Sequence, residues 1–428
     1  MSASTNTSPD TRSSQQAVEA CIERFHQTEE RIQAFQWFDE ERAREEARFQ
    51  DQRTDAAPLA GLVIGIKDLI DTADAPATYG SPIYANHRPA KDALIVSRLR
   101  QAGAVPFGKT VTTEFALFNP PKTRNPWKLD RTPGGSSSGS AAAVAAGVVP
   151  VALGTQTAGS VIRPAAFCGI FGFKPSFDAL PADGVKTISP SLDTVGLMAR
   201  RIEDIQTVFD AVRSERPAHP TALPVSLNIA FMRTPWWSDI TPDIRAHVEA
   251  AAQRLAAEST SFGVHESPYN TLFGELTTAQ QALMGGEVLA NLARERRDHA
   301  ADISQVLSRY LDQVAQADPR NEAAARTTIE RVKNDPDLIF GDAHLILSPS
   351  TLTEAPTRES TGDPLLCRAW TALGIPSINL PIGFGQDGLP IGLQLAARPG
   401  HDDLLLAAAS RIAQHLGITT APTPELKP

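Results

Sequence analysis

A lysine that directly follows an apolar run, and two loops rich in serine and glycine, are the residues of this chain best suited to do chemistry. Lys67 ends the segment LVIGIK (62–67). A lysine at a strand end can lie along apolar surface and put its ammonium in water. If it is desolvated instead, its pKa falls and the neutral amine becomes a base. The loops are GGSSSGS (134–140) and GTQTAGS (154–160). Read alone, each is a flexible loop. Here they bracket the apolar stretch AAAVAAGVVPVAL (141–153), and the second runs into VIRPAAFCGIFGF (161–173). Glycines packed against a core mark close backbone approach or positive φ. A serine among them is held by rigid backbone, as a nucleophile must be. A serine hydroxyl needs a base, so the lysine and the loops complete each other.

Other chemistries are less well served. GVVPVALG (147–154) lacks the GxGxxG order, and no acidic residue follows a strand–turn–helix unit to read a ribose. HExxH and Cys-x-x-Cys patterns do not occur, and the nine histidines have no metal-ligand spacing. His87, His344 and His401 are isolated and read as surface or supporting residues. Nothing favours a Ser–His–Asp triad, although sequence alone leaves one open. The three cysteines, Cys21, Cys168 and Cys367, lie far apart and make no disulfide framework, which fits a reducing compartment. Cys168 reads as buried core. No metal and no cofactor are expected.

The elements that must position these residues alternate between strand and helix. Residues 15–53 carry apolar positions at helical spacing with no Pro or Gly, which predicts two helices packed on the main body. Leu62–Ile66 reads as a buried strand, 92–101 as a helix and 105–107 as the next strand. Strand patterns recur at 227–231, 345–350, 377–384 and 389–397, and helical ones at 201–212, 243–257 and 402–415. The charged stretch 272–336 is mostly helical. This order predicts an α/β fold: a mixed, mostly parallel sheet covered by helices on both faces.

Composition bounds the rest. The chain has 428 residues with 42% apolar, enough for a large core, and a formal net charge of −9. That balance argues against broad nucleic-acid binding. No run approaches the roughly 18 apolar residues of a membrane span, and the N-terminus lacks the pattern of an export signal. A cytoplasmic protein is expected, with no membrane partner.

The chain resembles the amidase signature family. PGGSSSGSAAAVAAGVVPVALGTQTAGSVIRPAAFCGIFGFKP (133–175) is similar to the family's Ser/Gly-rich signature nearly throughout, and GLVIGIKDLIDTA (61–73) to its lysine block. FGKTVTTEFALF, NPW (125–127), SPSLDTVGLMAR (189–200) and GIPSINLPIGF with GLPIGLQLAA resemble further blocks, over about residues 15 to 415. The resemblance implies a Ser–cisSer–Lys triad. Ser160 is then the nucleophile, Ser136 the bridging serine after a cis peptide, and Lys67 the base. Backbone N–H groups of Thr157, Ala158, Gly159 and Ser160 form the oxyanion hole. It implies a C–N hydrolase that releases ammonia or an amine from a small-molecule amide through an acyl-enzyme. The alternatives are an amidotransferase A-type subunit acting on charged tRNA, an ester or carbamate hydrolase, and a degenerate, non-catalytic binding protein. A homodimer is a further expectation of the resemblance.

The chain departs from the common family wording. Gln156 stands where Asp is usual and Ala158 where Gly is usual, so Ala158 keeps the turn only if positive φ is not required there. Arg163 comes three residues after the nucleophile, as in the malonamidase-like branch, where it binds a substrate carboxylate; the rival reading is an arginine that holds the fold. Gly135 and Ser138 are further substrate-binding candidates, Gln156 and Asp193 supporting ones. Phe115, Phe118, Trp127 and Trp370 are candidates to line an apolar pocket. The expected organisation is a disordered tail over 1–14, N-terminal helices over 15–60, and a catalytic domain over 61–420. Within that domain lie a signature core (61–212) and a helical pocket cover (272–336).

Overall fold

Strands whose successive residues are all buried need cover on both faces, because their side chains alternate sides. The computed structural model describes residues 13–55, 57–214 and 223–425. Its strands are β1 (Phe35–Phe38), β2 (Val63–Lys67), β3 (Val105–Thr110), β4 (Val151–Gln156), β5 (Phe171–Lys174), β6 (Thr194–Ala199), β7 (Leu227–Phe231), β8 (Phe262–Glu266), β9 (Leu345–Pro349), β10 (Ser377–Phe384) and β11 (Pro390–Ala397). They form one eleven-stranded sheet in the order β1-β3-β2-β4-β6-β5-β10-β11-β9-β7-β8. β2, β3, β4, β6, β9 and β11 are buried at every residue. Helices therefore flank the sheet on both sides, and the chain is a single α/β domain.

The sheet is mixed, but its parallel share is smaller than expected. Among the described residues four pairings are parallel, β2 with β3 and β4 and β7 with β8 and β9. The other six are antiparallel, including every pairing from β4 to β9 through the centre. Connection length accounts for the difference. A parallel neighbour needs a long crossover; the helices Leu94–Gln101 and Ser138–Ala145 lie in the crossovers among β2, β3 and β4, and Pro242–Ala257 in the one between β7 and β8. β10 and β11 are joined by a short turn and can only be antiparallel.

Two strings have motif spellings that the fold does not honour. GAVPFGKT (103–110) spells a phosphate loop, yet Val105–Thr110 is buried β3 and the Lys109 ammonium donates to the Ile70 carbonyl (2.7 Å). GFGQDG (383–388) spells a dinucleotide fingerprint, yet it is the end of β10 and the turn toward β11 rather than a strand-to-helix turn.

The N-terminal segment is two helices, Ser14–Ile32 and Glu40–Asp51, with β1 between them where only helix is predicted. The left-handed Gln33 (φ 51°) ends the first helix. The Glu29 carboxylate then accepts the N–H groups of Ala34 (3.0 Å) and Phe35 (2.8 Å), which turns the chain into the strand. Phe25, Phe35 and Phe38 close on Phe107 of β3, the last pair stacked at 4.4 Å. Ser13 caps the first helix, so the expected tail over 1–14 gives its last two residues to that helix. Residues 1–12 lie outside the described residues, as does most of the Pro-rich stretch 217–224.

The charged stretch is four helices, Asn270–Asn291, Ala293–Asp298, Gln305–Ala315 and Pro319–Asn334. The first and last of these meet at Gly286, over which the Glu322 side chain lies. Leu276, Leu283, Leu307, Leu311 and Ile329 form a core under them that continues into Trp370. No helix among the described residues is long and apolar enough to cross a membrane.

Candidate active site

Parallel pairing of β2 with β4 puts the carboxyl ends of both strands on one edge of the sheet. In open α/β sheets that edge is where ligands bind. Lys67 is the last residue of β2, and β4 runs into the turn 157–161 that carries Ser160. Ser136 reaches the same edge by another route. It directly precedes the segment leading into helix Ser138–Ala145, which runs back across the sheet to the start of β4. That helix is buried at every position. A Cβ at Gly139 would lie 2.1 Å from the Ala34 carbonyl and 2.3 Å from the Val111 nitrogen, so only glycine permits this packing.

The peptide bond between Gly135 and Ser136 is cis. Lys67 Nζ lies 2.7 Å from Ser136 Oγ and 2.7 Å from Thr155 Oγ1. The amine is fully buried, and burial holds its pKa well below the usual lysine value, opposed by the Asp193 carboxylate. Asp193 is pushed up to about 6 by its own burial, against the hydrogen bonds it accepts. Its Oδ1 takes the Thr157 hydroxyl (2.6 Å) and its Oδ2 the N–H groups of Ile188 (2.7 Å) and Ser189 (2.9 Å).

The turn holding Ser160 is built by Gln156. Its Oε1 accepts the N–H groups of Val161 (2.9 Å) and Ile162 (3.1 Å), and its Nε2 donates to Thr371 Oγ1 (3.0 Å). The Thr371 hydroxyl in turn donates to the Ala158 carbonyl (2.8 Å). An aspartate could accept both N–H groups but could not donate to Thr371, so the amide changes the direction of this chain of bonds. Ala158 is not among the residues with positive φ, so the turn accommodates its methyl. Gly159 is needed for space, because a Cβ would sit 2.9 Å from Pro364 and 3.1 Å from Cys367. Among the described residues no protein group takes the N–H of Thr157, Ala158, Gly159 or Ser160. Ser160 itself remains 6% exposed.

Other candidates are committed elsewhere. Arg163 donates NH1 to the Gly362 carbonyl (2.8 Å) and NH2 to the Gly135 carbonyl (2.6 Å), and burial lowers its pKa to about 10. Its fork thus grips the residue before the cis bond. Ser138 is fully buried and donates to the Gly134 carbonyl (2.7 Å). Gly135 lies under Thr361 and Thr113, which a Cβ would meet at 2.9 and 3.2 Å. Ser137 is at the centre of GSSSG (135–139), a string with the spelling of a nucleophile elbow, but it is fully buried with its Oγ on Thr155. Cys168 is buried, and burial raises its thiol pKa. Of the four aromatics, Trp370 and Phe115 are core, and Trp127 packs on Phe384 and donates to the Cys168 carbonyl. Phe118, half-buried against Tyr310 at 4.7 Å, is the one left beside the site helices.

Sequence reasoning missed Thr155, Thr371, Gln280 and Arg368. Gln280 Nε2 donates to the Thr157 carbonyl (2.8 Å), and its Oε1 accepts from Arg368 NH1. Thr155 carries a usable signal, since it sits one residue before Gln156 on the strand feeding the loop. The other three have none, because only the fold brings 280 and 368–371 to the turn. The helical segment also meets the site's surroundings through Glu287, which accepts the hydroxyls of Ser189 and Ser191 at 2.6 Å each. Glu295 accepts from Tyr84 (2.7 Å) and Lys186 (2.6 Å). Among the described residues no cluster of His, Cys, Asp and Glu could hold a metal ion.

The sequence pattern of the family described as Amidase matches residues 16–406. The A-type subunit of the glutamyl-tRNA(Gln) amidotransferase of Chloroflexus aggregans is 33% identical, over 91% of this chain and 90% of that protein. A structure from a vestigial protein complex bearing on the origins of an s-triazine catabolic enzyme superposes with a TM-score of 0.86. It is 27% identical and covers 96% of this chain and 97% of that one. The peptide amidase of Stenotrophomonas maltophilia superposes with a TM-score of 0.80 at 25% identity, over 97% and 96% of the two chains.

Proposed function

The chain belongs to the amidase family of amide-hydrolysing enzymes, and from that premise we propose that it cleaves a small carboxylic amide through an acyl-enzyme on Ser160. Ser136 is the bridge and Lys67 the base. The observation that carries this reading is the 2.7 Å approach of Lys67 Nζ to Ser136 Oγ, with the amine buried and its pKa held well below that of a free lysine. A neutral amine has a lone pair to accept a proton; an ammonium does not.

The Ser160 hydroxyl proton passes to Ser136 as the Ser136 proton passes to Lys67, and Ser160 Oγ bonds to the amide carbon. The carbonyl oxygen takes the negative charge and is met by the N–H groups of residues 157 to 160. Fixed donors of this kind are worth on the order of 3 kcal/mol each in comparable sites. The C–N bond breaks, and the proton on Lys67 returns through Ser136 to the departing nitrogen. Water then bonds through its oxygen to the acyl carbon as it gives a proton to the same relay; the bond from that carbon to Ser160 Oγ breaks, Oγ takes the proton back from the relay, and the acid leaves. Gln156, Thr371 and Asp193 hold the turn, Arg163 holds the Gly135 carbonyl, and the helices over 270–334 cover the site.

Ser160→Ala should abolish turnover, a loss of roughly 10⁴-fold or more, while leaving the thermal transition unchanged. A serine-directed covalent probe followed by peptide mapping should label Ser160 in the parent protein. Near-parental turnover in the variant, or labelling elsewhere, sinks the assignment.

The amidotransferase relative supports a second reading, an A-type subunit that passes ammonia to another subunit's substrate. Gln156 and the position of Arg163 favour the stand-alone hydrolase. Glutamine hydrolysis that appears only with a co-purifying partner would decide for the second. Light scattering on the purified chain tests the proposed homodimer.

A further inference from the structure

One helix of the cover reaches the nucleophile turn at two points. In the helix Asn270–Asn291, Gln280 and Glu287 are two turns apart and lie on one stripe. Both are buried, at 0% and 6% exposed. Gln280 Nε2 donates to the Thr157 carbonyl (2.8 Å), and its Oε1 is taken by Arg368. Glu287 reaches the same threonine from the other side, through one loop. Its Oε2 accepts the Ser189 hydroxyl (2.6 Å) and the Ser191 N–H (3.1 Å), and its Oε1 accepts the Ser191 hydroxyl (2.6 Å). The N–H groups of Ile188 and Ser189 go to Asp193, which takes the Thr157 hydroxyl (2.6 Å). Ser189, fully buried, thus gives its hydroxyl to one carboxylate and its N–H to the other.

Thr157 therefore has its carbonyl and its hydroxyl tied back to a single helix, while no protein group among the described residues takes its N–H. A donor aimed at developing charge is effective when it is fixed before the reaction, and loses its value when it can drift. Apolar packing holds the cover in place but is non-directional; the hydrogen bonds of Gln280 and Glu287 are what give Thr157 an orientation. Glu287 is itself fixed from the far side, because Arg326 NH2 donates to it (2.7 Å) and to Glu322 (2.8 Å). Asp193 is also the carboxylate that acts on Lys67, so the loop Glu287 orders bears on the oxyanion turn and on the base together.

We propose that the helix Asn270–Asn291 sets the oxyanion hole as well as covering it, with Gln280 and Glu287 as positioning residues that hold Thr157 from its two sides. This rests on the amide-hydrolase reading of Ser160, so one arm of the test needs no turnover. It follows the rate at which a fluorophosphonate labels Ser160, where Oγ displaces fluoride from phosphorus and the phosphoryl oxygen takes the oxyanion's place. Gln280→Glu keeps the shape and the bond to Arg368, but as a carboxylate it cannot donate to Thr157. Glu287→Ala frees the loop, and Glu287→Gln gives back part of its hydrogen bonding. Gln280→Glu and Glu287→Ala should each lower kcat roughly 30-fold with KM within about twofold, and should slow the labelling by a similar factor. Glu287→Gln should recover most of that loss. Leu283→Ala removes core packing from the same helix but no bond to the turn. It should lower the melting temperature and leave kcat within about twofold of the parent. Unchanged kcat and labelling in Gln280→Glu, losses carried by KM alone, or a Leu283→Ala protein as slow as the other two overturns the proposal. Should Glu287→Ala fail to fold, Gln280→Glu carries the test. A parent that is labelled at Ser160 yet hydrolyses no amide refutes the hydrolase reading alone, and the labelling rates then decide the proposal; a parent that is not labelled overturns both.

Discussion

Lys67 and Asp193 are both buried, and burial moves both toward their neutral forms. The amine is driven well below its ordinary value and the carboxyl up to about 6. Activity should therefore fall as pH drops, when Lys67 takes up a proton and can no longer accept one from Ser136. The stability consequences have opposite signs. Asp193 binds a proton more tightly folded than unfolded, so its contribution is full below 3.8 and lost as pH rises through about 6. Lys67 binds its proton less tightly folded, so its contribution grows as pH rises toward 10.5. Asp193→Asn removes the first, and with it the charge that acts on Lys67. Relative to the parent it should gain up to about 3 kcal/mol between pH 4 and pH 8, while kcat falls because the Thr157 bond and the field on Lys67 change. Denaturant melts at the two pH values check this, and an equal difference at both would refute it.

At the scale of elements, Arg163 acts as a clasp joining three segments: its own helix Ile162–Cys168, Gly135 before the cis bond and Gly362. Truncation to Ala leaves two buried carbonyls without donors, at about 1–3 kcal/mol each. Arg163→Ala should lower the melting temperature and reduce activity on acidic and neutral amides alike. A loss confined to acidic amides would reinstate Arg163 as the carboxylate anchor. The same scale explains what could be read beforehand. Lys67, Ser136 and Ser160 sit in contiguous strings whose spelling is set by backbone demands, at Gly139 for instance, so they were legible. β10 and the last helix, Asp402–His415, carry clean apolar periods and fall on their predicted bounds. β1 was not legible, because FQWF is short and continues the apolar spacing of the helix before it. β6 and β8 each contain a glycine and sit inside longer irregular stretches. The Arg163–Gly362 and Arg368–Gln280 bonds depend on segments some 200 residues away in one case and 88 in the other, and no local pattern encodes them.

Across the whole molecule, the helices over 270–334 share one apolar core with Trp370 and with the sheet residues Ile346 and Ala396, and polar contacts add to that seam. Glu287 is central, accepting from Ser189, Ser191 and Arg326. Glu287→Gln keeps the shape and weakens these charge-assisted bonds. Hydrogen exchange should then speed up over residues 270–334 and stay unchanged in β2 to β6. Uniform acceleration throughout would mean that cover and sheet open as one unit.

The central place of β10 and β11 sets an order on how the protein can be made. Lys67, Ser136 and Ser160 all leave the ribosome early, yet β5 and β9 meet only through the strand pair formed by residues 377–397. Until that pair is synthesised, the nascent chain holds two incomplete sheets, each ending in a bare row of N–H and C=O groups. Such edges recruit other strands. Thr371 and Arg368 arrive just ahead of the pair, so the nucleophile turn gains its last supports at nearly the same moment that the sheet closes. A chain halted before Ser377 would therefore be inactive and prone to aggregate, and chaperone demand during synthesis should be concentrated in the interval before residues 377–397 emerge.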